Sequence, residues 1–83
     1  MYTVSLKRSA EKELKELSPK VHDKIIKALL SLRENPFPRN AKKLHGREGV
    51  RMRVGNYRVL YLVDDEKKKI EVVAVGDRKD VYR

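Results

Sequence analysis

Apolar and cationic residues alternate along Val50-Arg51-Met52-Arg53-Val54, which predicts a half-buried strand with Val50, Met52 and Val54 on one face and Arg51 and Arg53 on the other. Gly55-Asn56 follows as a two-residue hairpin loop, because this pair tolerates the positive φ that such loops demand. The return arm runs from about Tyr57 to Val63. A two-residue loop sets Val54 opposite Tyr57 and Arg53 opposite Arg58, so three arginines share one side of the sheet. Val50, Met52, Val54, Tyr57, Val59, Tyr61 and Val63 form the apolar set, with Tyr57 and Tyr61 as core aromatics. Arg51, Arg53, Arg58, Leu60 and Leu62 form the opposite set, cationic near the hairpin tip and apolar farther away. Asp64 to Lys68 is a polar turn, and Ile70 to Val75 is apolar on nearly both sides, as suits a central strand over about 69–76.

The N-terminal half has a different periodicity. Tyr2 to Leu6 alternates loosely and reads as a short strand. Ser9 is placed to cap a helix over about 10–17, where Ala10, Leu14 and Leu17 make a narrow apolar stripe. Ser18-Pro19 restarts the chain with a cap and a proline at the first helical position. Val21, Ile25, Ala28, Leu29 and Leu32 then carry a second helix to about Glu34, and Asn35-Pro36 ends it. Residues 36–49 are expected to be loop, with Leu44 as its anchor. The order β-α-α-β-β-β describes an α+β domain, a helical hairpin packed on one face of a small, mainly antiparallel sheet. Residues 1–83 make one domain, and the arginines occupy the sheet's open face.

Charge sharpens this picture. The 83 residues hold 21 Lys plus Arg against 12 Asp plus Glu, a formal net charge of +9, which implies a polyanionic or acidic partner. The basic residues are concentrated. Between Pro36 and Val63 stand seven of them (Arg39, Lys42, Lys43, Arg47, Arg51, Arg53 and Arg58) against the single acid Glu48. Like charges directly opposed across strands destabilise a sheet, so an arginine pair at positions 53 and 58 suggests a bound anion, phosphate above all. With no cysteine, neither a disulfide framework nor a thiolate metal site can form. His22 lies on the polar side of a helix and His45 in the loop. Asp64-Asp65-Glu66 looks like a metal cluster only superficially, since it is a turn followed at once by lysines. No metal or cofactor is expected. No apolar run is long enough for a membrane span and no signal-like block is seen, so a cytoplasmic location is expected.

These pieces, in this order, resemble the RelE/ParE toxin superfamily of toxin–antitoxin systems. The resemblance rests on the N-terminal strand and helices, Asn35-Pro36, Lys43-Leu44-His45-Gly46, Arg51 to Tyr61, and Val75-Gly76-Asp77-Arg78-Lys79-Asp80-Val81-Tyr82-Arg83. Gly55-Asn56-Tyr57-Arg58 and the C-terminal segment point to the RelE-like branch. Such proteins are endoribonucleases that cut messenger RNA in the ribosomal A site. The resemblance implies metal-independent cleavage by attack of the ribose 2′-hydroxyl on phosphorus, leaving a 2′,3′-cyclic phosphate and a 5′-hydroxyl.

By the same resemblance, Arg58 matches the arginine that stabilises the transition-state phosphate, and Arg78 the one assigned to leaving-group stabilisation or protonation. Tyr82 matches a tyrosine that stacks on or orients the substrate. Arg51 and Arg53 stand where relatives often carry lysines. A guanidinium is a poor proton acceptor, so the general base stays open between Asp77 and Tyr82. Lys42, Lys43, Arg47 and Lys79, with Lys67, Lys68 and Lys69, are expected to make sequence-independent phosphate contacts with mRNA and ribosomal RNA. The expected partners are the ribosome and an antitoxin whose acidic segment wraps the toxin. Alternatives from other classes are a ParE-like inhibitor of DNA gyrase and a catalytically inactive RNA- or protein-binding relative.

Overall fold

The hairpin closes in the expected register. In a computed structural model that describes residues 1–77, β3 (Val50–Val54) pairs antiparallel with β4 (Tyr57–Asp64), setting Val54 opposite Tyr57 and Arg53 opposite Arg58. Gly55 takes φ 61° and Asn56 stays at negative φ, the arrangement of a turn that needs glycine at its first central position. Before them come β1 (Thr3–Leu6), α1 (Arg8–Lys15), α2 (Pro19–Ser31) and β2 (Ala41–Lys43); β5 (Lys69–Asp77) ends the described chain.

The five strands are ordered β1-β5-β4-β3-β2. Only β1 and β5 run parallel; the other neighbours are antiparallel. The apolar β5 is interior, as its composition requires. Helix α1 lies over β5 and β1 and α2 over β3, on the face that carries Val50, Met52, Val59 and Tyr61, all buried. Ala10, Leu14, Ile25, Leu29 and Leu32 fill the same core from the helices, with Val54, Tyr57 and Val63 packed at its edge. One α+β layer pair results, with the second sheet face left for other work.

Three features depart from the sequence reading. First, α1 begins at Arg8, so Ser9 lies inside the helix; Lys7 is the cap residue and makes no side-chain capping bond. Lys7 serves two elements at once: its N–H donates to Val72 O at 2.8 Å, ending the β1 ladder, while its carbonyl accepts from Glu11 N at 2.9 Å. Strand pairing therefore fixes the helix start in place of a hydroxyl. Ser18, by contrast, caps α2 as expected, accepting from Val21 N at 3.5 Å with Pro19 in the first turn. That helix ends at Ser31, and tighter bonds such as Leu32 N to Leu29 O at 3.1 Å carry the chain on to Asn35.

Second, the expected loop over 36–49 contains β2, which sets Lys42 opposite Arg51 and Ala41 opposite Met52. Nothing in Ala-Lys-Lys alternates in hydrophobicity. The strand exists because the outer edge of β3 offers unpaired backbone groups, and a short lysine-bearing strand covers that edge without inviting another chain. Leu44 does anchor the turn over 44–49: its N–H donates to Gly49 O at 3.0 Å, and Gly49 holds a φ of 128° that favours glycine, where a Cβ would stand 3.1 Å from Leu44 Cδ1 and push that side chain aside.

Third, the β4–β5 register slips. Leu60 opposes Ala74 but Tyr61 opposes Val72, so Val73 is an extra residue in β5. Val72 and Val75, three apart in sequence, can then both be buried in the core at 0% and 1% exposure. The bulge restores the parity that a regular strand would break, and sets Gly76 opposite Arg58.

Candidate active site

The open face is built from two cross-strand rows. Directly opposed residues project to the same side of a sheet, so Lys42, Arg51, Leu60 and Ala74 form one row and Arg53, Arg58 and Gly76 the next. Toward β2 the rows lead to Arg39 and Asn40. Arg39, Asn40, Lys42, Arg51, Arg53 and Arg58 line a cleft of about 300 Å³.

Asn40 holds this wall together. Arg53 N–H donates to Asn40 O at 3.0 Å, and Asn40 Nδ2 donates to Arg53 O at 2.6 Å. One residue thus extends the β2–β3 pairing past Ala41 with both its backbone and its side chain, and fixes the hairpin strand that carries Arg53. Sequence reasoning missed Asn40, and counted Arg39 only as charge. The signal available was the concentration of cations, which named Arg39 without saying where it stands.

The arginines are not alike. Arg53 is exposed and Arg51 half-buried. Arg58, expected on an open face, is 6% exposed, and its Nε is shut off from solvent. The reason is topological: β4 is the middle strand of the five, and Arg58 issues from the floor of the cleft while β3 and the Arg39–Lys42 segment supply its rim. A guanidinium on the floor keeps its planar fork of donors in a fixed place and a poorly solvated one, where attraction to an anion is stronger than in bulk water. Among the described residues, no ion pair involves Arg39, Lys42 or Arg53.

Other candidates stand elsewhere. Lys43 alternates to the opposite side of β2 from Lys42, and its Nζ lies 5.6 Å from the centroid of the exposed Phe37 ring. Arg47 belongs to the exposed loop over Leu62 and Val63, sharing a separate hollow with Lys43. Asp77 pairs with Tyr57, whose side turns toward the helices, so the register sets Asp77 on the face away from Arg58. Tyr61 lies beneath the site as a core residue: its hydroxyl donates to Pro36 O at 2.6 Å, and burial pushes its pKa up to about 12. Arg78, Lys79 and Tyr82 lie outside the described residues. No group of three or more metal-ligating side chains occurs among the described residues.

What the cleft can do chemically is bind a phosphodiester. Four arginines and one lysine meet on one side of a sheet whose other side is a closed core. The profile of the ParE toxin of type II toxin–antitoxin systems matches residues 4–82. The chain belongs to this toxin family. Among its relatives, the mRNA interferase toxin RelE of Escherichia coli is 33% identical over 98% of this chain and 90% of its own length. Toxin RelG of Mycobacterium tuberculosis is 32% identical, covering 99% of this chain and 97% of that one. In structure, the archaeal RelE–RelB complex from Pyrococcus horikoshii superposes with a TM-score of 0.85 at 27% identity, covering 96% of this chain and 98% of its counterpart. The chain is thus a RelE-like toxin of the ParE toxin family, and the two-helix, five-stranded arrangement is the fold of these toxins.

Proposed function

We propose that this toxin is a ribosome-dependent mRNA endonuclease that cleaves in the A site and so inhibits translation. The observation that carries the reading is Arg58, buried at the floor of a cleft whose remaining charged residues are Arg39, Lys42, Arg51 and Arg53. In the proposed reaction the 2′-hydroxyl oxygen forms a bond to phosphorus and releases its proton to solvent water. The bond from phosphorus to the 5′-oxygen breaks, leaving a 2′,3′-cyclic phosphate and a 5′-hydroxyl. Charge builds on the non-bridging oxygens as the pentacoordinate transition state forms. Arg58, with Arg53 directly opposite, supplies fixed donors to that charge, and one such donor is worth roughly 3 to 4 kcal/mol.

Arg51 and Arg53 bind the backbone, and Arg78 and Tyr82 act on the leaving group and the substrate base as the family resemblance implies. Lys42 joins them at the cleft, while Lys43, Arg47 and Lys79 contribute contacts to ribosomal or messenger RNA around it. The chemistry as written uses no metal and no cofactor. The partner that restrains it is an antitoxin, as RelB accompanies RelE in the archaeal complex, and a protein of +9 favours an acidic one.

The profile match to ParE toxins keeps a second reading in view, inhibition of DNA gyrase without nuclease activity. Primer extension on mRNA in a translating system with purified ribosomes separates the two. Cleavage at A-site codons that is lost in Arg58→Ala supports the first; intact mRNA with blocked gyrase supercoiling supports the second.

A further inference from the structure

The bulge at Val73 redirects one backbone group of β5. On the side of β5 that faces β1, Lys68 O accepts from Thr3 N at 2.9 Å and Val72 O accepts from Lys7 N at 2.8 Å. Regular alternation would turn residue 74 to that side next. The extra residue turns Val75 there instead, and β1 has already ended, since its last pair with β5 is Leu6 with Val72. Val75 N–H therefore issues at a stretch of sheet edge that β1 does not reach.

The side chain of Glu13 fills that place. Its Oε1 accepts from Val75 N at 3.2 Å, across 62 residues of chain. Helix α1 brings it there because Lys7 ends the strand ladder and opens the helix in one step, and because the buried Ala10 and Leu14 seat the helix on β5. Glu13 is otherwise exposed, so what it gives the fold is this bond. A carboxylate accepting from a backbone N–H makes a charge-assisted hydrogen bond, stronger than a neutral one. The next residue is Gly76, which pairs with Arg58 at the floor of the cleft, and Arg78 follows two positions later in sequence. Glu13 thus holds from one edge the same end of β5 that β4 holds from the other.

We infer that Glu13 is a positioning residue for the cleavage: by tethering Val75 it fixes the end of β5 that supports Arg58 and from which the chain continues to Arg78. The inference rests on the ribonuclease reading of the cleft, with Arg78 at the leaving group. Glu13 meets no reacting atom and acts through β5. Precision at this strand end matters because a displacement of about 1 Å at a reacting group can cost about 100-fold in rate.

The test compares wild type with Glu13→Ala and Glu13→Gln. The amide oxygen of glutamine can still accept from Val75 N–H, whereas alanine offers no acceptor. Hydrogen exchange of the Val75 amide, followed by NMR, reports the bond itself. Single-turnover cleavage of ribosome-bound mRNA, measured well below the melting temperatures over a range of ribosome concentrations, reports its effect. In Glu13→Ala, Val75 is expected to exchange at least about tenfold faster. Its maximal cleavage rate should fall by about 10- to 100-fold, with half-saturation by ribosomes changed by less than about threefold. Glu13→Gln should return both readouts to within a few-fold of wild type. A bond with a merely structural role would lower the melting temperature of Glu13→Ala and leave the cleavage rate of the folded protein unchanged, which overturns the inference. Unchanged Val75 exchange in Glu13→Ala overturns it too, as does a loss confined to half-saturation. A Glu13→Gln variant as slow as Glu13→Ala would assign the effect to charge and likewise overturn it. If the wild type cleaves no mRNA, the ribonuclease reading fails and the inference with it, while Val75 exchange still shows whether the bond forms.

Discussion

Arg53 and Arg58 are directly opposed across the β3–β4 hairpin, one exposed at the rim of the cleft and the other buried at its floor. Opposed like charges cost a sheet roughly 0.2 to 1 kcal/mol. Arg53→Thr, a good strand residue without charge, is expected to stabilise the protein by a few tenths of a kcal/mol in urea unfolding. It should also weaken binding to single-stranded RNA, lowering the slope of log affinity against log salt by about 0.7. A variant that melts lower, or binds RNA as tightly as wild type at every salt concentration, would show that the pair is not held for an anion.

Arg58 itself should behave differently. Arg58→Ala removes the donors nearest the proposed transition state and is expected to lower single-turnover cleavage by about 100- to 1000-fold. Arg58→Lys keeps the charge but loses the planar fork, so most of that loss should remain. Primer extension on A-site mRNA measures both. Recovery to near wild-type rates in the lysine variant would mean that charge alone, not bidentate geometry, matters at this position.

Asn40→Ala deletes the side-chain half of the clamp while keeping the backbone bond from Arg53 N to Asn40 O. The site is exposed, so the stability loss should stay near 0.5 kcal/mol, at the low end for one hydrogen bond. The larger effect is expected in function: the Arg39–Lys42 rim loosens, and KM for programmed ribosomes rises while kcat changes less. A fall confined to kcat would place Asn40 in the chemistry instead of the support.

Much of this architecture could be read from residue pattern alone, and the misses share a cause. Alternation marked β3 and β4, Ser18-Pro19 marked the start of α2, and Gly55-Asn56 fixed the register that brings Arg53 to Arg58. The features that escaped the pattern depend on a distant partner. Ala41-Lys42-Lys43 becomes a strand only because β3 lies beside it, and the start of α1 is set by Lys7 bonding to Val72, far along the chain. The Val73 bulge likewise answers to a core that must hold both Val72 and Val75. For the site, the arginines were visible as an alternating set, whereas Asn40 and the placement of Lys42 were not, because they depend on the unrecognised edge strand.

Tyr61 links the core to the loop that leads into the cleft, through its hydrogen bond to Pro36 O. Tyr61→Phe leaves that buried carbonyl without its partner and is expected to cost about 1 to 3 kcal/mol. Burial sets the sign of the pH dependence: the folded pKa is raised from 10.0 to about 12, so the folded state favours the neutral phenol. Its contribution is fully present below pH 10 and is lost as pH rises toward 12. The stability difference between wild type and Tyr61→Phe should therefore shrink across that window, as followed by urea unfolding at a series of pH values. A constant difference would mean that the hydroxyl does not titrate differently in the folded and unfolded chains.

The net charge of +9 bears on how such a toxin is captured by its antitoxin. Steering between opposite charges raises association rates well above the ~10⁵ to 10⁶ M⁻¹s⁻¹ of neutral pairs and fades as salt shortens the Debye length below about 10 Å. Dissociation depends on contacts already desolvated, which salt screens far less. With an acidic antitoxin segment as partner, the association rate is expected to fall at least tenfold between about 50 mM and 500 mM salt while the dissociation rate changes much less. Stopped-flow association of labelled toxin and antitoxin measures the first, and competition with unlabelled toxin the second. An association rate that is flat across this range would show that the cationic face does not guide the encounter, and that capture rests on the apolar contacts formed after it.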